Sequence, residues 1–164
     1  MRSELIRISY SLRVLPGIIT LITRCPMRKQ TVLVVNDNES HCLLLMKMLA
    51  GDTYEATYTL TGADGLQMAR KLSPDVVLLD LRMPDIGGGN VCAEIRKDPN
   101  LDLTAVVFHT AFPFEVGERS GEPFGVADAF LTYPIEARDL QFVLMGCVAK
   151  RRSRILNVEH ARRT

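Results

Sequence analysis

The stretch PDVVLLDLRMPDIGG, residues 74 to 88, sets four aliphatic side chains, Val76 to Leu79, directly before the carboxylate of Asp80. A run that short and wholly apolar has no polar face to offer water, so as a strand it must be covered on both sides. TVLVV at 31 to 35 and TAVVFHT at 104 to 110 have the same character. Between these runs the period changes. Cys42, Leu45, Met46 and Leu49 recur at helical spacing from about Glu39, and Gly51 stops that helix. YEATYTL (54 to 60) predicts a second strand, and Thr61 caps a helix carrying Leu66, Ala69 and Leu72 before Ser73-Pro74 ends it. After a tight Gly87 to Gly89 turn, Val91, Cys92 and Ile95 mark a third helix. ADAFLTY (127 to 133) predicts a fifth strand, and Leu140, Val143, Leu144 and Cys147 define a last helix. Residues 111 to 125 should hold a fourth helix, although two prolines and three glycines make it a poor one. Strands alternating with helices, the strands buried on both faces, imply an α/β fold: a parallel sheet wrapped by helices.

The 164 residues suffice for one domain with a proper core. Residues 1 to 30 carry six Lys/Arg and one acid, and residues 149 to 164 carry the same. Removing these from totals of 20 basic and 19 acidic side chains leaves residues 31 to 148 with 8 and 17. An acidic body between two basic ends suits a divalent cation better than a nucleic acid. The basic end, KRRSRILNVEHARRT, comes with no recognition fold and is expected to be a solvated helix extension or tail over 150 to 164. Residues 1 to 30 are read as an extension or a misassigned start, with Met27 as the natural one. VLPGIITLI is interrupted by Pro16-Gly17 and is far too short to span a bilayer. Cys25, Cys42, Cys92 and Cys147 show no CxxC spacing and predict reduced, buried thiols in a cytoplasmic protein. His41, His109 and His160 are scattered without metal-ligand spacing, so no zinc site is expected, and His109 is expected simply to be packed.

In an open parallel sheet, ligands bind beyond the carboxyl ends of the strands. The first strand ends in Asn36-Asp37-Asn38, the third in Asp80, the fourth in Thr110-Ala111 and the fifth in Tyr133-Pro134. Asp37 and Asp80 would then stand side by side at the rim, where two carboxylates repel unless a proton or metal intervenes. Mg²⁺ suits such a pair, because it takes one or two carboxylates and keeps several waters. A phosphoryl group could approach Asp80 as nucleophile, its oxygens held by the Thr110 hydroxyl and the Ala111 N–H. The chain has no P-loop, no GxGxxG and no plausible Ser/His/Asp set, which weakens the reading as a hydrolase or nucleotide enzyme.

VLVVNDNES, PDVVLLDLRMPDIGG, VVFHTA and ADAFLTYPI resemble, in order, the signatures of the receiver domain of two-component response regulators. The intervals are comparable too: 43 residues from Asp37 to Asp80, 30 to Thr110 and 23 to Tyr133. The resemblance covers about residues 31 to 149. It implies a flavodoxin-like, doubly wound five-stranded parallel sheet in the order 2-1-3-4-5. It implies phosphorylation of Asp80 by a histidine kinase or phosphotransfer protein, and Mg²⁺ held by Asp37, Asp80 and the backbone carbonyl of Arg82. It also implies a switch role for Phe130 and a cis Tyr133-Pro134 bond. Such a domain is no enzyme beyond Mg²⁺-dependent self-phosphorylation and self-dephosphorylation.

Two positions depart from the pattern. The family's first acidic residue is Asn36 here, and the lysine before the proline is Tyr133, which carries no charge near neutral pH. Two functions therefore stand as expectations. One is a stand-alone phosphoacceptor that signals through altered protein contacts, with a homodimer left open and neither nucleic acid nor membrane as partner. The alternative is a module that binds its downstream partner irrespective of phosphorylation.

Overall fold

The computed structural model describes residues 28–111 and 127–161. Residues 1 to 27 of the expected extension, Cys25 among them, and all but the first residue of the expected fourth helix lie outside them. The described chain runs β1 (Gln30–Val35), α1 (Glu39–Leu49), β2 (Tyr54–Thr59), α2 (Gly62–Leu72) and β3 (Val76–Leu79). It continues through α3 (Gly88–Lys97), a 3₁₀ turn (Pro99–Leu101), β4 (Ala105–Thr110), β5 (Ala129–Thr132) and α4 (Ala137–Ala161). The five strands form one sheet in the order β2-β1-β3-β4-β5, with every neighbouring pair parallel.

Alternation along each strand sorts side chains between two cores. Val32, Val34, Val76, Leu78 and Val107 pack with Cys42, Leu45 and Leu49 of α1 and with Leu140, Leu144 and Cys147 of α4. Leu33, Val35, Val77, Leu79, Val106 and Phe108 pack with Ala69 of α2 and with Val91, Cys92 and Ile95 of α3. VVLL is thus covered on both sides, as its composition demands; all four of its side chains are buried. Every apolar position that marked α3 is buried, and so are most of those that marked α1 and α4.

Helix α2 differs from expectation. Its inward face is Gly62, Gly65 and Ala69, while Leu72 is 44% exposed. Small residues let this helix approach β1 closely: a Cβ on Gly65 would lie 2.6 Å from the Val35 side chain. The glycine run also differs. Gly87 is the N-cap of α3, and Gly88 and Gly89 form its first turn instead of a loop. The last helix runs without a break at Ala149 through the basic segment to Ala161, which is the helix-extension alternative expected for that segment. Among the described residues no helix is long and apolar enough to cross a membrane.

Candidate functional site

The parallel arrangement brings the carboxyl ends of β1, β3 and β4 to one rim, where a cavity of about 310 Å³ opens. Asp37, Asp80, Arg82 and Ala111 line it together with Asn36, Asn38 and His41. Asp80 leaves β3 at the level where β1 ends, its backbone N–H donating to the Val35 carbonyl at 2.9 Å. One carboxylate oxygen of Asp80 accepts from the Leu81 N–H at 2.7 Å. Burial raises the Asp80 pKa above the usual carboxylate value and the charge of Asp37 adds to that, while the Leu81 and Arg82 amides oppose it. Burial and the Asp37 charge thus make ionisation of Asp80 less favourable, and a cation beside it would offset that. Two carboxylates with space beside them fit a hard divalent ion such as Mg²⁺ that retains waters. Among the described residues no three His, Cys, Asp or Glu side chains converge as a closed metal cage would require.

Gly88 makes this rim possible. A Cβ there would collide with the Asp80 carbonyl, so only glycine lets the first turn of α3 lie against the strand end. The loop before it is pinned by Asp85, whose carboxylate accepts from the N–H groups of Gly62 at 3.0 Å and Ala63 at 2.9 Å. These amides at the start of α2 lower the Asp85 pKa. From the sequence Gly88 reads only as part of a tight turn and Asp85 is not singled out, since in both cases the partner sits on a different element.

On the β1 side, Asn36 is buried at 3% exposure. Its Oδ1 accepts from the Asn38 N–H at 2.8 Å, and its Nδ2 faces Nδ1 of His41 at 3.3 Å. Asn38 caps α1 by accepting from the His41 N–H at 3.1 Å. On the β4 side Thr110 is buried at the strand end, and its carbonyl accepts from the Tyr133 N–H at 3.0 Å. The Tyr133-Pro134 peptide is cis.

The structure therefore brings Asp37, Asp80, Arg82 and Ala111 around one cavity, whereas Thr110, Tyr133 and Phe130 do not line it. Tyr133 lines a neighbouring cavity of about 390 Å³, with Asn38, Ser40, His41, Leu44 and Ala111. Phe130 sits on β5, 36% exposed, and stacks on Phe108 with centroids 5.3 Å apart.

His41 belongs to both cavities, and its ring lies 4.9 Å from those of His109 and Tyr133. Burial pushes the His109 pKa down to about 4, with His41 contributing, and burial lowers that of His41. His109 is packed, as expected, yet neither of its ring nitrogens finds a partner among the described residues. A signal for His41 was present in the spacing: it stands four residues before the buried Leu45, on the inward side of α1.

Comparison with known proteins places this geometry. Residues 32–142 match the response regulator receiver domain. Response regulator PleD of Caulobacter vibrioides is 36% identical over 105 residues, which are 64% of this chain but only 23% of PleD. The polar-differentiation response regulator DivK of Brucella ovis is 29% identical over 106 residues, covering 65% of this chain and 85% of DivK. Among solved structures, the receiver domain of sensor histidine kinase PA1611 from Pseudomonas aeruginosa was obtained with a magnesium ion in its active-site cleft. It aligns with a TM-score of 0.67 at 25% identity, over 74% of this chain and 98% of that one. Family match, strand order and rim geometry agree: this chain belongs to the response regulator receiver domain family.

Proposed function

We propose that the domain is a phosphoacceptor whose Asp80 takes a phosphoryl group from a histidine kinase or phosphotransfer protein and signals through altered protein contacts. The observation that carries this is the pairing of Asp37 with a half-buried Asp80 in one cavity that Ala111 also lines. A carboxylate oxygen of Asp80 attacks phosphorus, the bond to the donor atom breaks, and the leaving group keeps the electron pair. The Thr110 hydroxyl and Ala111 N–H are suited to hold phosphoryl oxygens from the β4 side. Asp37, Asp80 and the Arg82 carbonyl would hold Mg²⁺, which when bound supplies the positive charge that lets an anionic phosphoryl group approach two carboxylates. Receiver domains are signalling modules, and the only chemistry proposed for this one is gain and loss of that group. Three buried free thiols, Cys42, Cys92 and Cys147, support a reducing, cytoplasmic setting. The receiver unit is taken as residues 31 to 149, with the basic segment beyond it an appendage. No output domain is assigned to that appendage, and nucleic acid and membrane are not proposed as partners.

A second reading is favoured by Asn36 and Tyr133, which remove one negative and one positive charge from the family's pattern. Here the fold is a binding module whose partner ignores phosphorylation. Intact mass after incubation with acetyl phosphate and Mg²⁺ separates the two. A phosphate-sized gain in the wild type, absent from Asp80→Asn, is the expected result; no gain in a folded protein would leave the binding module standing.

A further inference from the structure

Helix α4 turns Leu140, Leu144, Cys147 and Val148 inward against the sheet, yet its outer side is apolar as well. Phe142 is 73% exposed and Met145 58%, one turn apart, and exposed Gly146 and Ala149 continue the same face. A Cβ on Gly146 would meet nothing within 4 Å, so no contact inside the described chain accounts for a glycine in the middle of a helix, where it is destabilising relative to alanine. What a bare backbone does offer is close approach from outside. Beside Phe142 lies a recess of about 260 Å³, which Thr53, Tyr54, Arg138, Gln141 and Met145 also line. Two of these residues are tied in place: the Tyr54 hydroxyl donates to the Gln141 carbonyl at 3.2 Å, and Gln141 Nε2 donates to the Met48 carbonyl at 2.8 Å. A projecting ring next to a fixed recess on one patch is the shape a two-fold contact uses, because each copy then supplies both halves.

We propose that this face pairs with the same face of a second copy of the chain, the two α4 helices running antiparallel. Charge selects both the occupant and the direction. Exposed Glu136 and Asp139 stand at the start of α4, with Arg138 between them. The helix then runs on for about 18 Å beyond Ala149, through a segment whose sequence carries Arg151, Arg152 and Arg154. Lys150 is left out of that set because it lies 3.9 Å from Asp128 of its own chain. A parallel pair would set the two arginine runs side by side, and their repulsion opposes it. In an antiparallel pair with each Phe142 set against Met145 and the recess of the other copy, position 151 of one helix stands level with Glu136 of the other, and position 148 with Asp139. The basic end of each chain is thereby laid on the acidic body of its mate, and the helix dipoles oppose one another. The pairing is independent of the phosphoacceptor reading, since it requires neither Asp80 nor Mg²⁺.

The test is sedimentation velocity of the full chain, from low micromolar to submillimolar concentration, at low and at high salt. Wild type should dimerise as concentration rises. Phe142→Glu and Met145→Glu, both at exposed positions, should each raise the dimer dissociation constant by about tenfold or more while the urea midpoint stays near that of wild type. Gly146→Leu should weaken the dimer without loss of fold, since the added side chain meets nothing in its own chain. Glu136→Arg combined with Asp139→Arg should weaken pairing by about threefold or more at low salt, an effect that high salt erases. Adding Arg151→Glu and Arg152→Glu to that variant should restore the dimer. A wild type that stays monomeric throughout overturns the proposal and leaves the face to a partner of another kind. A dimer indifferent to Phe142→Glu and Met145→Glu overturns the choice of face. A dimer that those two variants break, but in which the charge reversals do not compensate, overturns the antiparallel arrangement.

Discussion

The two halves of the rim are built on opposite principles. On the β1–β3 side Asp37 and Asp80 place like charges in one cavity, and the structure tolerates the repulsion. On the side where β4 and β5 meet α1, the polar groups are His41, His109 and Tyr133, packed ring against ring, with burial and His41 driving His109 to a pKa of about 4. The first half is poised to receive positive charge, whereas the second is arranged to avoid carrying any.

The comparison is most strongly broken from the carboxylate half. Gly88→Ala drives a methyl into the Asp80 carbonyl and should destabilise the fold by about 2–3 kcal/mol, seen as a lowered urea midpoint with an unchanged slope. The histidine half is tested by pH. His109 takes up its proton near pH 6.5 when unfolded but only near 4 in the fold, so between these values the unfolded chain binds more protons and stability falls as pH falls. The loss is on the order of 3 kcal/mol across that window. It should disappear in His109→Leu when urea midpoints are compared at pH 7 and pH 4.

Asp85→Ala sharpens the contrast on the first side. The folded pKa of Asp85 lies below its unfolded value, so its contribution is present above the unfolded pKa and lost as pH falls through the folded one. The variant should be less stable than wild type at pH 7, and the difference should vanish in strong acid. The smallest effect on stability belongs to Tyr133→Lys. Its side chain is 46% exposed, so the urea midpoint should move by no more than about 0.5 kcal/mol equivalent. Functionally it should put a charge where the second half lacks one and strengthen the link from Asp80 to the β5 surface. A Phe130 environment that stays the same on phosphorylation in that variant would count against the link.

Much of this was legible residue by residue. The doubly buried VVLL, the helical spacing of Cys42, Leu45 and Leu49, and the polar residues ending each strand led to the layered sheet and to Asp37 and Asp80 at its rim. Hydrophobic period states directly which face of an element is inward, and strand ends in a parallel sheet all lie on one side. The pattern misjudged α2, where Gly62, Gly65 and Ala69 are the inward face and the more hydrophobic Leu72 is outside. Close approach of a helix to β1 rewards the absence of a side chain, and no hydropathy count registers that.

What the chain's order of residues settled was therefore the described elements, the inward faces of all the helices but α2, and the two carboxylates that meet at the rim. The meeting of His41, His109 and Tyr133, the anchoring of α2 by Asp85 and the fit of Gly88 against Asp80 were settled by the fold. Each joins elements whose distance and tilt follow from packing the whole sheet between its helices. Periodicity describes one element at a time. Contact between elements exists only once they are packed.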